Sequence, residues 1–201
     1  MNELKVSISN GNSKMGAIPS VSLPACITCN PAAPCFKECY AVRFARRYKN
    51  CNVAYNRNLS ILQTDPALYW IQIKTAAMLA TYFRFHVSGD IPNVEYFENM
   101  VKLARELPGT RFLAFTKQYN IVNEHLNNGG NIPENLKIIF SNWGEWKTEN
   151  PHNLPVCEII FPDTEINNDW KICGGNCTEC ACRGIGCWEL NQGETIAIKK
   201  H

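Results

Sequence analysis

Five of the eleven cysteines in this chain fall within residues 173–188, and this clustering restricts the fold more than any other feature. The segment reads CGGNCTECACRGIGCW, and its four glycines allow the tight turns that bring several thiols to one place. Reduced thiols at such short spacings are typical ligands of zinc or of iron–sulfur clusters. In an oxidising compartment the same pattern would form a disulfide knot instead. The compartment therefore decides between the two interpretations.

The N-terminal sequence and the cysteine count favour the reducing alternative. The first five residues, MNELK, contain no apolar signal-peptide core, and no apolar run approaches the ~20 residues of a membrane span. We therefore expect a cytoplasmic protein without a membrane partner, in which thiols stay reduced. An odd number of cysteines also fits metal ligation better than a closed set of disulfides.

Length and charge set two further expectations. A chain of 201 residues with 45% hydrophobic content fits one domain over residues 1–201 with a substantial core. The formal net charge of +2 is nearly balanced, so we expect no nucleic-acid partner, although a local basic patch is compatible with it. The sequence leaves the oligomeric state open.

A second cysteine group lies in a proline-containing loop, residues 26–39, which we expect to lead into a helix over residues 37–62. Cys35 and Cys39, followed by Tyr40, resemble the first two ligands of the Cys-x3-Cys-x2-Cys loop with which radical-SAM enzymes hold a four-iron cluster. Val42 stands at the third ligand position and cannot bind a metal.

A missing third thiolate must then come from elsewhere in the chain. We favour Cys29 because it shares the loop, and the alternatives are Cys26, Cys51 or the C-terminal group. A zinc clip made by the same residues is the competing interpretation, since thiolates serve both metals.

Hydrophobic periodicity predicts an α/β fold. Alternating or apolar runs predict strands over residues 4–9, 20–23, 83–88, 111–115, 136–140, 156–161 and 195–198. Amphipathic spacing predicts helices from residue 66, over 94–107 and over 121–126, with Asp65 as a helix cap. Helices between successive strands indicate parallel βαβ units, so we expect a mainly parallel sheet that curves into a partial barrel. We expect cysteine loops at both ends of the chain and no full helix between the strands at 136 and 156.

Polar residues follow several of these strands, where parallel α/β folds place their chemistry. They are His86, Ser88, Asp90, Thr116, Lys117, Ser141, Asn142 and Asp163. Ser88-Gly89-Asp90 resembles the Gly-Gly-Glu-Pro element with which radical-SAM enzymes hold the amino group of S-adenosylmethionine. The resemblance implies that Ser88 and Gly89 bind that cofactor, and that His86, Asp90 and Lys117 are catalytic. A core histidine and a solvated surface lysine are the alternatives for His86 and Lys117.

Several motifs in order along the chain resemble a family of phage-encoded proteins described as gene-product-88-like. They are GNxKM at 11–15, SLP at 22–24, Cys29-x5-Cys35-x3-Cys39-Tyr40-Ala41, HxSGD at 86–90, TK at 116–117, SxWG at 141–144 and the cysteines 177, 180 and 187 followed by Trp188. The resemblance implies a phage origin and a metal, and it supplies no reaction. Cys26, Cys51, Cys157 and Cys182 depart from the pattern, and either Cys182 or Cys187 is the last ligand.

The predicted ligands form two groups that one mononuclear zinc cannot accommodate. They are Cys29, Cys35 and Cys39 in the N-terminal loop and Cys173, Cys177, Cys180 and Cys187 near the end. An iron–sulfur cluster of the four-iron type is the favoured cofactor, and zinc is the alternative. The groups form two separate sites or clamp one cluster between them.

Three classes of function fit this pattern. The first is a radical-SAM-like enzyme with an iron open to a small molecule, and the second is a redox protein with an electron donor or acceptor. The third is a zinc-stapled module that binds a host partner.

Overall fold

The structure, a computed structural model, describes residues 4–200 of the chain. Residues 1–3 and 201, which belong to the predicted domain and include most of the N-terminal segment considered above, lie outside the described residues. One sheet runs through the described chain. Its eight strands are β1 (Ile8–Ser9), β2 (Ser20–Val21), β3 (Tyr82–Phe85), β4 (Arg111–Thr116), β5 (Leu136–Ser141), β6 (Val156–Ile160), β7 (Lys171–Ile172) and β8 (Thr195–Lys199).

Six α-helices accompany this sheet in the described part of the chain. They are α1 (Tyr40–Arg47), α2 (Lys49–Thr64), α3 (Pro66–Ala77), α4 (Val94–Glu106), α5 (Tyr119–Asn127) and α6 (Cys177–Cys182). Two short 3-10 turns, Pro34–Phe36 and Gly186–Glu189, lie in the two cysteine segments. Within residues 4–200, no helix combines the length and the apolar character that crossing a membrane requires.

The sheet is parallel except at one edge. Its order is β1-β2-β3-β4-β5-β6-β8-β7, and only β1 runs antiparallel to its neighbour. The predicted α/β class with a mainly parallel sheet is therefore confirmed. In the described residues β1 and β7 form the two edges and do not pair with each other, so the sheet is open.

Alternation along the strands gives the sheet two apolar faces with different coverings. Phe112 and Ala114 of β4 pack in the larger core against helices α2 to α5. These helices carry hydrophobic residues at helical spacing, which form the apolar face that packs on the sheet. Leu113, between them, faces a smaller core that contains Trp188 and Leu190 from the C-terminal segment. The C-terminal cysteine segment thus covers the sheet face opposite the helices.

Most predicted elements are present, with two instructive differences. Asp65 caps α3 as expected, because its Oδ1 accepts a hydrogen bond from the amide of Leu68 at 2.9 Å. The single helix predicted over 37–62 is instead two, since Tyr48 adopts a non-helical conformation (φ −113°, ψ 85°) between α1 and α2. The expected absence of a helix between β5 and β6 agrees with the element order. The sequence patterns did not indicate β7 or α6, which are two and six residues long.

Candidate functional site around the N-terminal cysteine loop

One cavity of about 200 Å³ lies where the loop after β2 meets the carboxyl ends of the central strands. Segment 25–41 forms one side, and residues from β3, β4, β5, β6 and β8 or the loops after them form the other. Its ionisable and polar lining residues are Lys14, Cys26, Cys29, Cys35, Cys39, Arg84, His86, Ser88, Asp90, Lys117, Ser141, Cys157, Lys199 and Lys200, with Asn30, Glu38, Tyr40 and Trp143. Five cysteines and a set of basic side chains therefore line the same space, and four of the cysteines belong to the N-terminal loop.

The expectation that polar residues at the strand ends share one edge holds for most of them. His86, Ser88, Asp90, Lys117 and Ser141 all line the cavity. Thr116 and Asn142 are buried beside it, and each bonds a neighbouring carboxylate. Asp163, in contrast, is exposed and lies in a turn outside the cavity lining.

The N-terminal loop brings four cysteines together, including Cys26, which the sequence offered only as an alternative to Cys29. The amide of Cys26 lies 3.4 Å from Sγ of Cys29, and the thiol of Cys26 donates to the carbonyl oxygen of Phe36 at 3.7 Å. Cys39 is near enough to raise the pKa of Cys26. Cys26 has a φ of +65°, a left-handed conformation that is unusual for a residue with a side chain. Such strain persists only where the surrounding structure holds it, and it is common at functional sites.

Burial and mutual proximity make these thiols reluctant to ionise alone. Burial raises the pKa of Cys26 to about 11, and Cys39 and Cys35 add to the effect. Burial, followed by the Asp90 carboxylate, raises the pKa of Cys29 to about 12. Burial also raises the pKa of Cys35, although the Lys117 ammonium opposes it. Full ionisation of the group would therefore need a cation among the sulfurs, and a bound metal supplies one.

Asp90 is a buried and fully hydrogen-bonded carboxylate. Its Oδ1 accepts from Oγ1 of Thr116 at 2.6 Å and from the amide of Ile91 at 2.8 Å, and its Oδ2 accepts from the amide of Lys117 at 2.8 Å. Burial raises the pKa of Asp90, and these hydrogen bonds oppose the rise. The geometry gives Asp90 a positioning role: it joins the loop after β3 to the end of β4 and holds Lys117 at the cavity.

Lys117 is the basic group most closely integrated into the site. Its Nζ donates to Oγ of Ser141 at 2.8 Å and lies 5.8 Å from the ring centre of Trp143. Its carbonyl oxygen accepts from Nδ2 of Asn30 at 3.1 Å, which ties the cysteine loop to β4. The predicted alternative of a solvated surface lysine therefore does not describe this residue.

The Ser88-Gly89-Asp90 turn is packed against the segment that carries the cysteine loop. Gly89 has a φ of +76°, and a Cβ there would lie 2.7 Å from both the carbonyl oxygen of Leu23 and Oγ1 of Thr28. The amide of Leu23 donates to the carbonyl oxygen of Ser88 at 3.0 Å. Gly89 therefore has a structural function at this position, whatever else the turn binds.

Three side chains at the end of β3 carry buried polar atoms without a partner among residues 4–200. These atoms are Nε of Arg84, Nδ1 of His86 and Oγ of Ser88. The other ring nitrogen of His86 lies 3.1 Å from Oη of Tyr96, and burial, followed by Arg84, lowers the His86 pKa to about 3. His86 is thus neutral at physiological pH. Buried polar groups rarely stay unpaired, so these atoms mark the cavity wall as a surface that receives a ligand or water.

The C-terminal cysteines form a second group on the sheet face opposite the helices. Cys173, Cys177, Cys180 and Cys187 pack against the smaller core beside Trp188. Burial, followed by Cys173, raises the pKa of both Cys180 and Cys187. Asn176 caps α6 by accepting from the amide of Glu179 at 3.1 Å. Cys182 is exposed, whereas Cys187 is half-buried within the group.

All eleven cysteines are free, so the structure contains none of the disulfides that formed the alternative interpretation. Among residues 4–200, no three His, Cys, Asp or Glu side chains have the geometry to hold a metal ion. The donor chemistry of both cysteine groups fits zinc or an iron–sulfur cluster, and the thiols would have to move closer together to bind one.

A family model described as gene product 88 matches residues 2–185. The chain belongs to the gene product 88 family. The match spans the whole N-terminal cysteine loop and most of the C-terminal group, and it ends before Cys187. No curated protein and no solved structure matches the chain.

Sequence reasoning missed three residues of this gene product 88 protein that contact the cavity. Cys26 lies outside the quoted family motifs, and its proximity to Cys39 is a consequence of the loop conformation. Cys157, which departs from the family pattern, is buried and lines the cavity, whereas Cys51 is half-buried and lies outside the lining. Arg84 alternates with Phe83 and Phe85 in β3, and that alternation was the available signal that it points away from the helices.

Proposed function

We propose that this protein is an iron–sulfur protein that holds a four-iron cluster in its N-terminal cysteine loop and acts in electron transfer. The gathering of Cys26, Cys29, Cys35 and Cys39 at one cavity carries the proposal. Four thiolates are the usual ligand set of such a cluster, which supplies one-electron chemistry when bound. We propose that the protein acts in the host cytoplasm, where thiols stay reduced, and its eleven free cysteines agree with this location.

The surroundings of the loop suit an anionic thiolate-bound group. Lys117 and Arg84 place positive charge at the cavity, and Lys200 lies 2.7 Å from Glu38 at its rim. Cations and hydrogen-bond donors near the sulfurs favour the ionised thiolates and the reduced state of a cluster. We interpret the open sheet, with its second face covered by the C-terminal segment, as a partial barrel that encloses this site.

We further propose that the C-terminal cysteines hold a separate, structural metal. Cys173, Cys177, Cys180 and Cys187 pack in the smaller core, and none of them lines the cavity. A metal there would connect the turns around α6 to the sheet, in a segment that contains four glycines. Zinc and iron both fit these ligands. Because none of the four cysteines lines the cavity, we propose two sites rather than one shared cluster.

An enzyme is the second candidate, because the cavity wall carries unpartnered polar atoms. Nδ1 of His86 and Oγ of Ser88 are buried without a partner in the described chain, and both residues line a cavity that a small molecule would fill. If Cys26 does not bind the metal, one iron would lack a cysteine and would be open to that molecule. A role for S-adenosylmethionine, which the radical-SAM resemblance implies for Ser88 and Gly89, stays a prediction.

Metal analysis of anaerobically purified protein tests the first proposal. We expect iron and acid-labile sulfide in the native protein, and in Cys35→Ser and Cys39→Ser the loss of the sulfide together with the iron bound to it. Cys51→Ser is the matched control, since Cys51 lies outside the cavity lining and should leave the iron content unchanged. Zinc without iron in the native protein, or full iron in the Cys35 and Cys39 variants, would contradict the proposal.

Cys26→Ser separates the two candidate functions. Loss of the cluster in this variant indicates a fully cysteine-ligated electron-transfer centre. A cluster that persists, with an electron paramagnetic resonance spectrum that shifts on addition of small ligands, indicates an open iron and favours the enzyme.

A further inference from the structure

The segment that follows the cysteine loop carries a concentrated positive charge that the whole-chain value conceals. Residues 40–64 contain five Arg and Lys residues and no Asp or Glu. Because the formal net charge of the whole chain is +2, the rest of the protein has a net charge of −3. Charge is therefore separated along the chain, and helices α1 and α2 carry the positive part.

Helix α1 contributes almost nothing to the hydrophobic core. Ala41 is its only buried residue among eight. Most helices in globular proteins are stabilised by a buried apolar face, so a helix this exposed has a surface available to a partner.

Aromatic and basic side chains lie side by side on this surface. Tyr40, Phe44 and Tyr48 are spaced four residues apart and are 49%, 45% and 46% exposed, and the rings of Phe44 and Tyr48 are 4.5 Å apart. Arg43 and Arg47 form the adjacent stripe, and the guanidinium of Arg47 lies 5.7 Å from the ring centre of Tyr48. Exposed aromatics between cations are the combination that contacts bases and phosphates at once.

Three of the five basic residues here form no ion pair with an acid in the described part of the chain. Arg46, Lys49 and Arg57 are exposed, and none of them forms an ion pair with another residue in the 4–200 range. Arg46 and Arg47 also stabilise the C-terminal end of α1, because cations there interact favourably with the helix dipole. Lys49 and Arg57 lie beyond that end and do not have this role.

We propose that α1 and the first part of α2 form a binding surface for single-stranded nucleic acid. A membrane surface fits less well, because the apolar stripe along this eight-residue helix is limited to three half-exposed rings, two of them tyrosines, and offers little apolar area to insert among lipid chains. Tyr40 belongs both to this surface and to the cavity lining, so a bound strand would pass the mouth of the cysteine site. The surface does not depend on a metal, and this proposal stands independently of the proposed function.

Fluorescence anisotropy with a labelled oligothymidylate of about 20 nucleotides tests this surface on the full chain. We expect binding whose affinity falls between about 50 and about 200 mM salt, as counterion release requires. Charge reversal in Arg46→Glu/Arg47→Glu should weaken binding by about tenfold or more and flatten the salt dependence. Phe44→Ala, which keeps every charge, should weaken binding by about fivefold or more through lost stacking.

Lys5→Glu/Lys102→Glu is the matched control, since it makes the same charge change at exposed positions outside α1 and α2. It should retain native affinity, and circular dichroism should show that every variant is folded. No binding by the native protein at about 50 mM salt would overturn the proposal. Equal weakening by the control pair, unchanged affinity of Phe44→Ala, or binding to phosphatidylserine vesicles without binding to the oligonucleotide would overturn it as well.

Discussion

Arg84 donates a hydrogen bond from Nη1 to Sγ of Cys177 at 3.7 Å, while the same side chain lines the cavity of the N-terminal cysteine loop. Its guanidinium also lies 5.0 Å from the ring centre of Phe115. One cation therefore contacts the C-terminal cysteine group and lines the cavity of the N-terminal group, although the two groups are far apart in sequence. Because a half-buried positive charge stabilises thiolates near it, we expect Arg84 to couple the electrostatics of both groups.

Replacement of Arg84 should change the redox properties of a bound cluster. In Arg84→Gln the reduced, more negative state loses a nearby cation, so we expect a lower reduction potential than in the native protein. Arg84→Lys keeps the charge and should restore most of the difference. Protein-film voltammetry measures the potentials, and Arg105→Gln, an exposed change on α4, is the control. Equal potentials in the native protein and Arg84→Gln would refute the coupling.

His86 should make the protein less stable in mild acid. Its pKa is lowered to about 3 in the folded protein by burial and by Arg84, whereas an unfolded histidine titrates near ~6.5. Between these values only the unfolded state binds the proton, so the free energy of unfolding falls by up to about 1.4 kcal/mol for each unit of decreasing pH. In His86→Gln this pH dependence should be absent. Urea unfolding at a series of pH values between about 6.5 and about 4, which lie within that window, measures the free energy of unfolding of both proteins. An identical pH slope in the two proteins would show that His86 does not behave as a buried neutral imidazole.

Gly89 should tolerate no side chain. Gly89→Ala places a methyl group 2.7 Å from the carbonyl oxygen of Leu23 and requires alanine to adopt a φ of +76°. We expect a loss of more than about 1 kcal/mol in the free energy of unfolding, with a lower melting temperature. Gly109→Ala is the matched control, since no atom lies within 4 Å of its added Cβ and its φ is not positive. Similar melting temperatures for both variants would contradict the close approach at Gly89.

Cys180 and Cys182 should differ sharply although they are two residues apart. Cys180 lies among the C-terminal thiols, and Cys182 is exposed at the end of α6. We expect Cys180→Ser to lose the C-terminal metal and several kelvin of melting temperature, because metal binding and folding of this segment are linked. Cys182→Ser should keep both. Metal loss on replacement of Cys182 rather than Cys180 would place Cys182, and not Cys180, among the ligands.

Local sequence patterns were sufficient for most of the architecture. The alternation in β3, the apolar runs in β4 and β5 and the amphipathic spacing in α4 each reflect burial in the sheet or the helical layer, so each can be recognised in a short window. The cap at Asp65 is equally local, since a side-chain oxygen bonds an amide three residues ahead. The break at Tyr48 was not visible, because no glycine or proline marks it.

The sequence by itself determined the fold class, the number and spacing of the thiols and the set of polar residues at the strand ends. Only the tertiary structure decided that Cys26 joins Cys39, that Asp90 positions Lys117, and that Arg84 reaches Cys177. The physical reason is the range of the interactions. Periodicity and capping act over a few residues, whereas these contacts depend on how parallel strands and the C-terminal segment pack, which no local pattern encodes.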